Sequence, residues 1–508
     1  MKTHPTSFRH LTCTAALICA AGIIFLPASA RAQFSNGQNA AQVIGQVNFT
    51  DSGMNPLDNP RGIAIDPVTG KLFVGDQTNN RVVRYANVDS LATGAQPEAV
   101  IGQPDLTTTS PGTSASKIDS PTGIFLDSSG ALWISDRDNN RVLRFPNAAN
   151  VGSGSSASLV LGQADFVSGG SGLSASTMAA PEGVVLDDQG HLWVADDNNQ
   201  RVLRFDNASS KANGANADGV LGQPDFVTNG TNTTQSGFAE PVGLAVSPAG
   251  TLYVAEDFND RVMVFINAAQ KSNGDLADSV IGQPDFIDNT NRTQIFGFSS
   301  PESLALSPTG VLAVGSTSNQ RALFFNNPES LFGLAPANAV IGKPFFTTGS
   351  PTTASQSNLS DVYGLTYDAA GRLFVADDDN NRVLRFDPPT LLGNSFQPTV
   401  TSSRRKGKAV FVIRNVGAMA ADFSILAKFK TKGGKAQIRL VYNGSNIKGS
   451  AKNGTALTGV LPPGGSARLV VRAKAKAGSS NFKVRTVITA NSEAYPANSA
   501  TAAKSIKL

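Results

Sequence analysis

Val375-Ala376-Asp377-Asp378-Asp379-Asn380-Asn381-Arg382-Val383-Leu384-Arg385-Phe386 reads as a strand, a tight polar turn and a second strand. Five relatives precede it: Val74 to Arg81, Ile134 to Arg141, Val194 to Arg201, Val254 to Arg261 and Val314 to Arg321. The arginines at 81, 141, 201, 261, 321 and 382 set a period of about 60 residues. A fixed period of this length decides the architecture first, because each repeat must bury its apolar face on its neighbours.

Each repeat carries the same ordered parts. A short run ending in Gly-Gln comes first, as in Val43 to Gln46, and in the sixth case Lys343 replaces the glutamine. A loop rich in Ser, Thr, Asn and Gly follows. Next come Pro-x-Gly and an apolar run such as Ile63-Ala64-Ile65, then a turn, then Leu72-Phe73-Val74, the polar turn and Val82 to Tyr85. Runs of four to six apolar, β-branched or aromatic residues between Gly, Pro, Asp and Asn read as four short strands per repeat. They are apolar on successive residues, which implies burial on both faces. Sheets stacked radially around an axis meet that demand.

These motifs, Pro-x-Gly, Leu-aromatic-Val-x-Asp and Asn-x-Arg-Val-x-x-Phe, resemble NHL repeats over roughly residues 41–387. The resemblance implies a six-bladed β-propeller. Blade five departs most, with Ser303, Ala313, Ser316 and Ala322 at motif positions; it is expected to pack least well. One Gly-Gln run precedes every repeat and none follows the last. The N-terminal strand, 43–46, is therefore expected to complete blade six and close the ring.

Residues 1–32 read as a secretory signal: Lys2, Arg9 and His10, a short apolar run from Leu11 to Pro27, and Ala30-Arg31-Ala32 before Gln33. The expected location is secreted, periplasmic or at the cell surface. Cys13 and Cys19 lie in this segment, as do His4 and His10. The mature chain then has no thiol, no Cys-type zinc site and a single histidine, His191, too few for a histidine-ligated metal. His191 is expected to be an exposed imidazole.

Charge divides the chain. Residues 397–508 hold twenty Lys and Arg against Asp422 and Glu493, whereas 33–396 hold 36 acids against 19 bases. Residues 388–399 read as a linker, and 400–508 as about seven strand-like runs between Gly, Pro and Asn turns. That spacing suggests an immunoglobulin-like β-sandwich. The fold class is thus all-β, a propeller followed by a small sandwich. The basic module suits an anionic polymer or lipid surface. Nucleic acid is not expected, since no aromatic platform interleaves the charges.

The repeated Asp-x-x-Asn-x-Arg is structural by its repetition, the acid accepting turn amides and pairing with the arginine of its own blade. Function is expected where the repeats differ. The variable residue of Pro-x-Gly gives Arg61, Thr122, Glu182, Glu302 and, with Val362 for proline, Tyr363, all near the axis. The extra turn acids Asp197, Asp257, Asp378 and Asp379 belong to the same end of the sheets. The expected function is non-catalytic: a binding or scaffold protein that presents this loop-rich face to a protein or glycan. The alternative is a calcium-dependent, lactonase-like hydrolase or lyase. No catalytic residue is assigned and no cofactor is expected, though an oxygen-ligated calcium stays open. There is no Gly-x-Ser-x-Gly elbow and no Walker loop.

Overall fold

Each repeat forms a four-stranded antiparallel sheet, and the strands run outward from the axis in chain order. In the first blade they are Pro60–Ile65, Lys71–Asp76, Arg81–Asn87 and Ala99–Ile101, here termed a to d. The computed structural model describes residues 34–54, 56–344, 346 and 353–388. It also describes 398–405, 408–415, 423–432, 436–442, 445–446, 456–457, 466–475, 483–492 and 499–507. Residues 1–32, read above as a secretory signal, lie outside these. Residues 32–390 form one compact unit, and 391–508 belong to a second.

Among the described residues, six such sheets make up the first unit. Their strands a begin at Pro60, Pro121, Pro181, Pro241, Pro301 and Val362. Each strand a neighbours the next, and the sixth neighbours the first, so the ring is closed. The Pro-x-Gly glycine permits this contact. A Cβ on Gly62 would sit 2.3 Å from the Thr122 carbonyl oxygen, and one on Gly364 would sit 1.8 Å from that of Arg61. Any side chain there would push the blades apart. Blade five has Ser303 instead and uses it, its hydroxyl donating to the Val362 carbonyl at 2.8 Å.

Strand b is buried along its length, as in Leu132–Asp136 and Leu192–Asp196. Its aromatic fills the gap to the next blade: Phe73 packs among blade-two residues, Trp133 among blade three, Trp193 among blade four, and Phe374 among blade one. Blade five keeps all four strands, with Ala313 and Phe324 buried between blades.

The closing strand is Gln42–Ile44, not 43–46. It pairs antiparallel with Arg385, Leu384 and Val383 of blade six. It stops there because Gly45 has φ +86°, a left-handed conformation that ends the extended run. Gln46 instead pins the following loop, its amide donating to the carbonyls of Gly53 and Asn381.

The second unit holds nine described strands in two antiparallel sheets. One has the order Pro398–Arg405, Lys408–Asn415, Ser466–Ala475, Ala436–Tyr442, Ser445–Asn446. The other runs Ala456–Leu457, Phe423–Lys432, Lys483–Ser492, Ser499–Lys507. Phe411, Leu440, Leu469 and Ile488 are buried while Lys430, Arg439 and Arg472 are exposed. This inward and outward alternation is that of a β-sandwich.

Candidate functional site at the propeller axis

In five of the six sheets the repeated acid and arginine sit together at one end. Arg81, Arg141, Arg201, Arg261 and Arg382 each donate through Nε to the facing acid, at 2.6 to 2.7 Å. The acid also accepts a backbone amide, though from the loop before strand a rather than from its own turn: Asp136 from Asp119, Asp196 from Ala179. These pairs are buried and tie loop to sheet, as the repetition implied.

In five of the six blades the residue before the arginine latches the next blade. Asn80, Asn140, Gln200, Asp260 and Asn381 adopt φ of 51 to 54°. Their side-chain oxygens accept the amides of Ser120, Ala180, Glu240, Ser300 and Asn59. This brings three variable positions of each blade to one mouth: the residue inside Pro-x-Gly, the residue before that proline, and the second residue of the polar turn.

Behind the mouth runs an axial cavity of about 410 Å³. Arg61, Thr122, Glu182, Val242, Glu302 and Tyr363 all line it, so every Pro-x-Gly position singled out above faces one space. Deeper, Ile65, Leu126, Leu186, Val246, Leu306 and Tyr367 supply a partly buried, largely apolar wall. A polar rim over an apolar wall, at this volume, suits a small molecule or the end of a chain.

The rim is rich in carboxylates. Glu182 accepts from Arg137 Nε at 2.6 Å, and the Arg61 guanidinium lies 3.8 Å from the centre of the Tyr363 ring, a cation–π contact. Asp378 is 3% exposed; its Oδ2 accepts from Asn59 at 2.9 Å. Asp361, Asp378 and Asp379 place one carboxylate oxygen each within 4.8 Å of one another. Ser360 donates to Asp379 at 3.0 Å. Among the described residues, three buried polar atoms of the rim have no hydrogen-bond partner: Asp197 Oδ1, Asp378 Oδ1 and Arg61 Nε.

Burial and mutual repulsion raise these acids. Burial first, then Glu182 and Glu240, lift Asp197 to about 7. Burial lifts Asp378 to about 6 against the opposing charge of Arg61. Burial, then Asp379 and Asp378, lift Asp361 to about 6. Burial and Asp257 hold Glu302 well above the ordinary range, Arg61 opposing. Asp257 itself is raised by burial, and a hydrogen bond with Ser300 opposes this.

Glu240, Asp361 and Arg137 belong to this site, and sequence reasoning missed them. A signal was present: Glu240 and Asp361 are the acids among the residues preceding strand a, and Arg137 holds the turn position of Asp197, Asp257 and Asp378. His191 corrects an expectation. It is partly buried, and its Nδ1 lies 2.8 Å from Asp187 Oδ2.

The fold and its axial site define a β-propeller with a ligand-sized pocket. Residues 50–266 match the family profile of the teneurin NHL domain, so the NHL resemblance holds across that span. A Caenorhabditis elegans protein described as a probable peptidyl-alpha-hydroxyglycine alpha-amidating lyase is 23% identical over 228 residues. The match covers 40% of this chain and 63% of that relative, under two thirds of its length. Solved structures with similar folds include virginiamycin B lyase from Staphylococcus aureus, at 13% identity and TM-score 0.38, over 68% of this chain and 97% of that one. A gluconolactonase from Xanthomonas campestris has 13% identity and TM-score 0.38, over 70% and 97%.

Proposed function

We propose that the propeller is a binding module whose acidic rim captures a positively charged group on a protein or glycan. The observation that carries this is the pair of buried carboxylate oxygens, Asp197 Oδ1 and Asp378 Oδ1, to which no described residue donates. A buried acceptor left unmade costs about 1–3 kcal/mol, which a ligand N–H can restore. Thermal-shift screening with lysine- and arginine-bearing peptides and amino sugars tests the reading. Stabilisation by a cationic ligand that Asp197→Asn removes is the expected result; stabilisation by neutral ligands alone overturns it.

Two outcomes follow for the rim. Glu182→Ala with Glu302→Ala should weaken that binding while changing stability by less than about 1 kcal/mol, because neither acid anchors the sheets. Chemical denaturation and titration of the same protein check both halves. The pH dependence should have opposite signs with and without ligand. Cation binding weakens as pH falls through about 7 and then 6, as Asp197, Asp361 and Asp378 take up protons. For the free protein a raised carboxylate costs stability when ionised. Its contribution to stability therefore grows as pH falls from above 7 toward the unfolded value of 3.8.

A second reading, a calcium-dependent hydrolase or lyase, has its own observation. Glu302 is held toward the protonated form beside acidic neighbours, a division suited to acid–base work. Asp361, Asp378 and Asp379 offer the oxygen donors that calcium prefers. Calcium bound there would supply a Lewis acid. A melting temperature raised by calcium chloride, but not by sodium chloride of equal ionic strength, supports this reading.

The basic module invites a separate proposal: attachment to an anionic polymer outside the cell, after export by residues 1–32. Arg439 faces Arg472 directly across neighbouring strands, and Lys430 faces Arg485 on the other sheet. All four are exposed. Like charges so placed repel, and a polyanion relieves the repulsion. Charges on both sheets fit a polymer strand better than a flat membrane, which meets one face. Full-length protein should be retained on immobilised polygalacturonate at low salt and released near physiological salt, where screening shortens the range to ~8 Å. No retention at low salt, or preference for phosphatidylglycerol vesicles, defeats the polymer reading. N-terminal sequencing of exported protein should begin at Gln33.

A further inference from the structure

Blade five breaks the rule that each buried arginine faces an acid. Ser316 stands where the other blades carry Asp or Glu, and Arg321, only 2% exposed, has an Nε with no hydrogen-bond partner among the described residues. Its terminal nitrogens still donate to carbonyls, among them Gln294 and Gly297 at 3.0 Å each. Those carbonyls lend partial charge but do not neutralise a guanidinium.

Two further changes push the same way. Lys343 replaces the glutamine of the Gly-Gln motif, is 1% exposed, and donates to Gln320 Oε1 at 3.1 Å. Phe345 stands where the preceding loops have Asp105, Asp165, Asp225 and Asp285. Relative to the matching stretches of those blades, the sequence here loses two acids and gains one base. The strain shows in both cations: burial pulls Arg321 down to about 10, and burial with the Arg321 charge pulls Lys343 down to about 8. Between Glu302 and Asp361 the chain offers one acid, Glu329, which is exposed and bonded to Ser247.

We infer that blade five binds a small monovalent anion of chloride size at the place where the other blades put a carboxylate oxygen, with Arg321 Nε as its principal donor. The neighbouring blades show the geometry required. Asp136 Oδ2 accepts both Arg141 Nε at 2.7 Å and Asn139 Nδ2 at 3.0 Å. In blade five Asn319 is retained and donates to Ser316 Oγ at 3.2 Å. Ser316 Oγ also takes over the loop amide, from Ser299 at 3.0 Å, so the serine reproduces one carboxylate oxygen and leaves the arginine side to the anion. Lys343 adds charge without needing to touch it.

The test is the melting temperature of the full-length protein in sodium chloride against sodium gluconate at equal ionic strength. Wild type should melt higher in chloride, by on the order of 2 °C once chloride exceeds its dissociation constant tenfold. Ser316→Asp supplies the carboxylate in cis. It should raise the melting temperature in gluconate and abolish the difference between the two salts. Arg321→Met, which removes the donor, should abolish the difference without that rise. Lys343→Gln should reduce it. Equal melting of wild type in both salts overturns the inference, as does a Ser316→Asp protein that keeps its chloride dependence.

Discussion

Removing residues 34–47 will abolish cooperative unfolding of the propeller. This segment contributes a whole strand to a sheet otherwise built from residues more than 300 positions away. Val43 and Ile44 are fully buried, and Gln42 accepts from Arg385 at 2.7 Å. Upstream, Phe34 packs against Phe324 with ring centres 5.0 Å apart. Gly37 donates to the Val340 carbonyl, and Ala40 exchanges bonds with Gln356. Three large apolar side chains at about 1.5–3 kcal/mol each amount to much of the stability of an ordinary domain. The deletion also bares the edge of Arg382–Phe386, which invites aggregation. Calorimetry and light scattering measure the outcome. An unchanged melting transition would show that the ring does not depend on this closure.

Asp196→Ala should cost about 3–5 kcal/mol, the range for one partner of a buried ion pair lost while the other stays. Both Asp196 and Arg201 are fully buried, 2.7 Å apart. Asp196 also accepts from the Ala179 amide and from Asn199. Its loss strands a guanidinium and releases the loop before strand a. Urea unfolding gives the number, and a loss below 1 kcal/mol would contradict it. Asp196→Ala with Arg201→Met should recover a substantial part, since the uncompensated charge is then gone. This contrasts with the rim acids, whose removal affects binding rather than stability.

The propeller was legible because it is periodic. Six copies of one pattern expose its constant positions as scaffold and its variable ones as candidates, so Arg61, Thr122, Glu182, Glu302 and Tyr363 could be placed at the axis from their offset to Pro and Gly. The side-chain pairings that complete the rim do not follow from offset. Glu182 meets Arg137 because blades two and three abut, and Asp378 meets Asn59 because the last blade abuts the first. Glu240 was hidden by its place before Pro241, where turn chemistry explains a polar residue well enough, and Asp361 by the loss of that proline, Val362 standing in its place. The end of the closing strand was misjudged because Gly45 and Gln46 follow an apolar run without interruption, and only their backbone angle and side-chain bonds show that they belong to the loop.

The arginine at the end of each sheet reaches forward as well as across. Arg141 and Arg201 donate to the carbonyls of Phe166 and Phe226 at 2.6 and 2.7 Å, and Arg81 and Arg382 reach those of Leu106 and Phe49. What these bonds recognise is main chain, present whatever the residue. The loops over the mouth are therefore held at their base by anchors indifferent to their sequence. A foreign segment spliced into 107–112 or 228–236 would inherit the same fixed stems. The chain is in this respect a ready frame for loop grafting, in which specificity can be rewritten without touching the sheets.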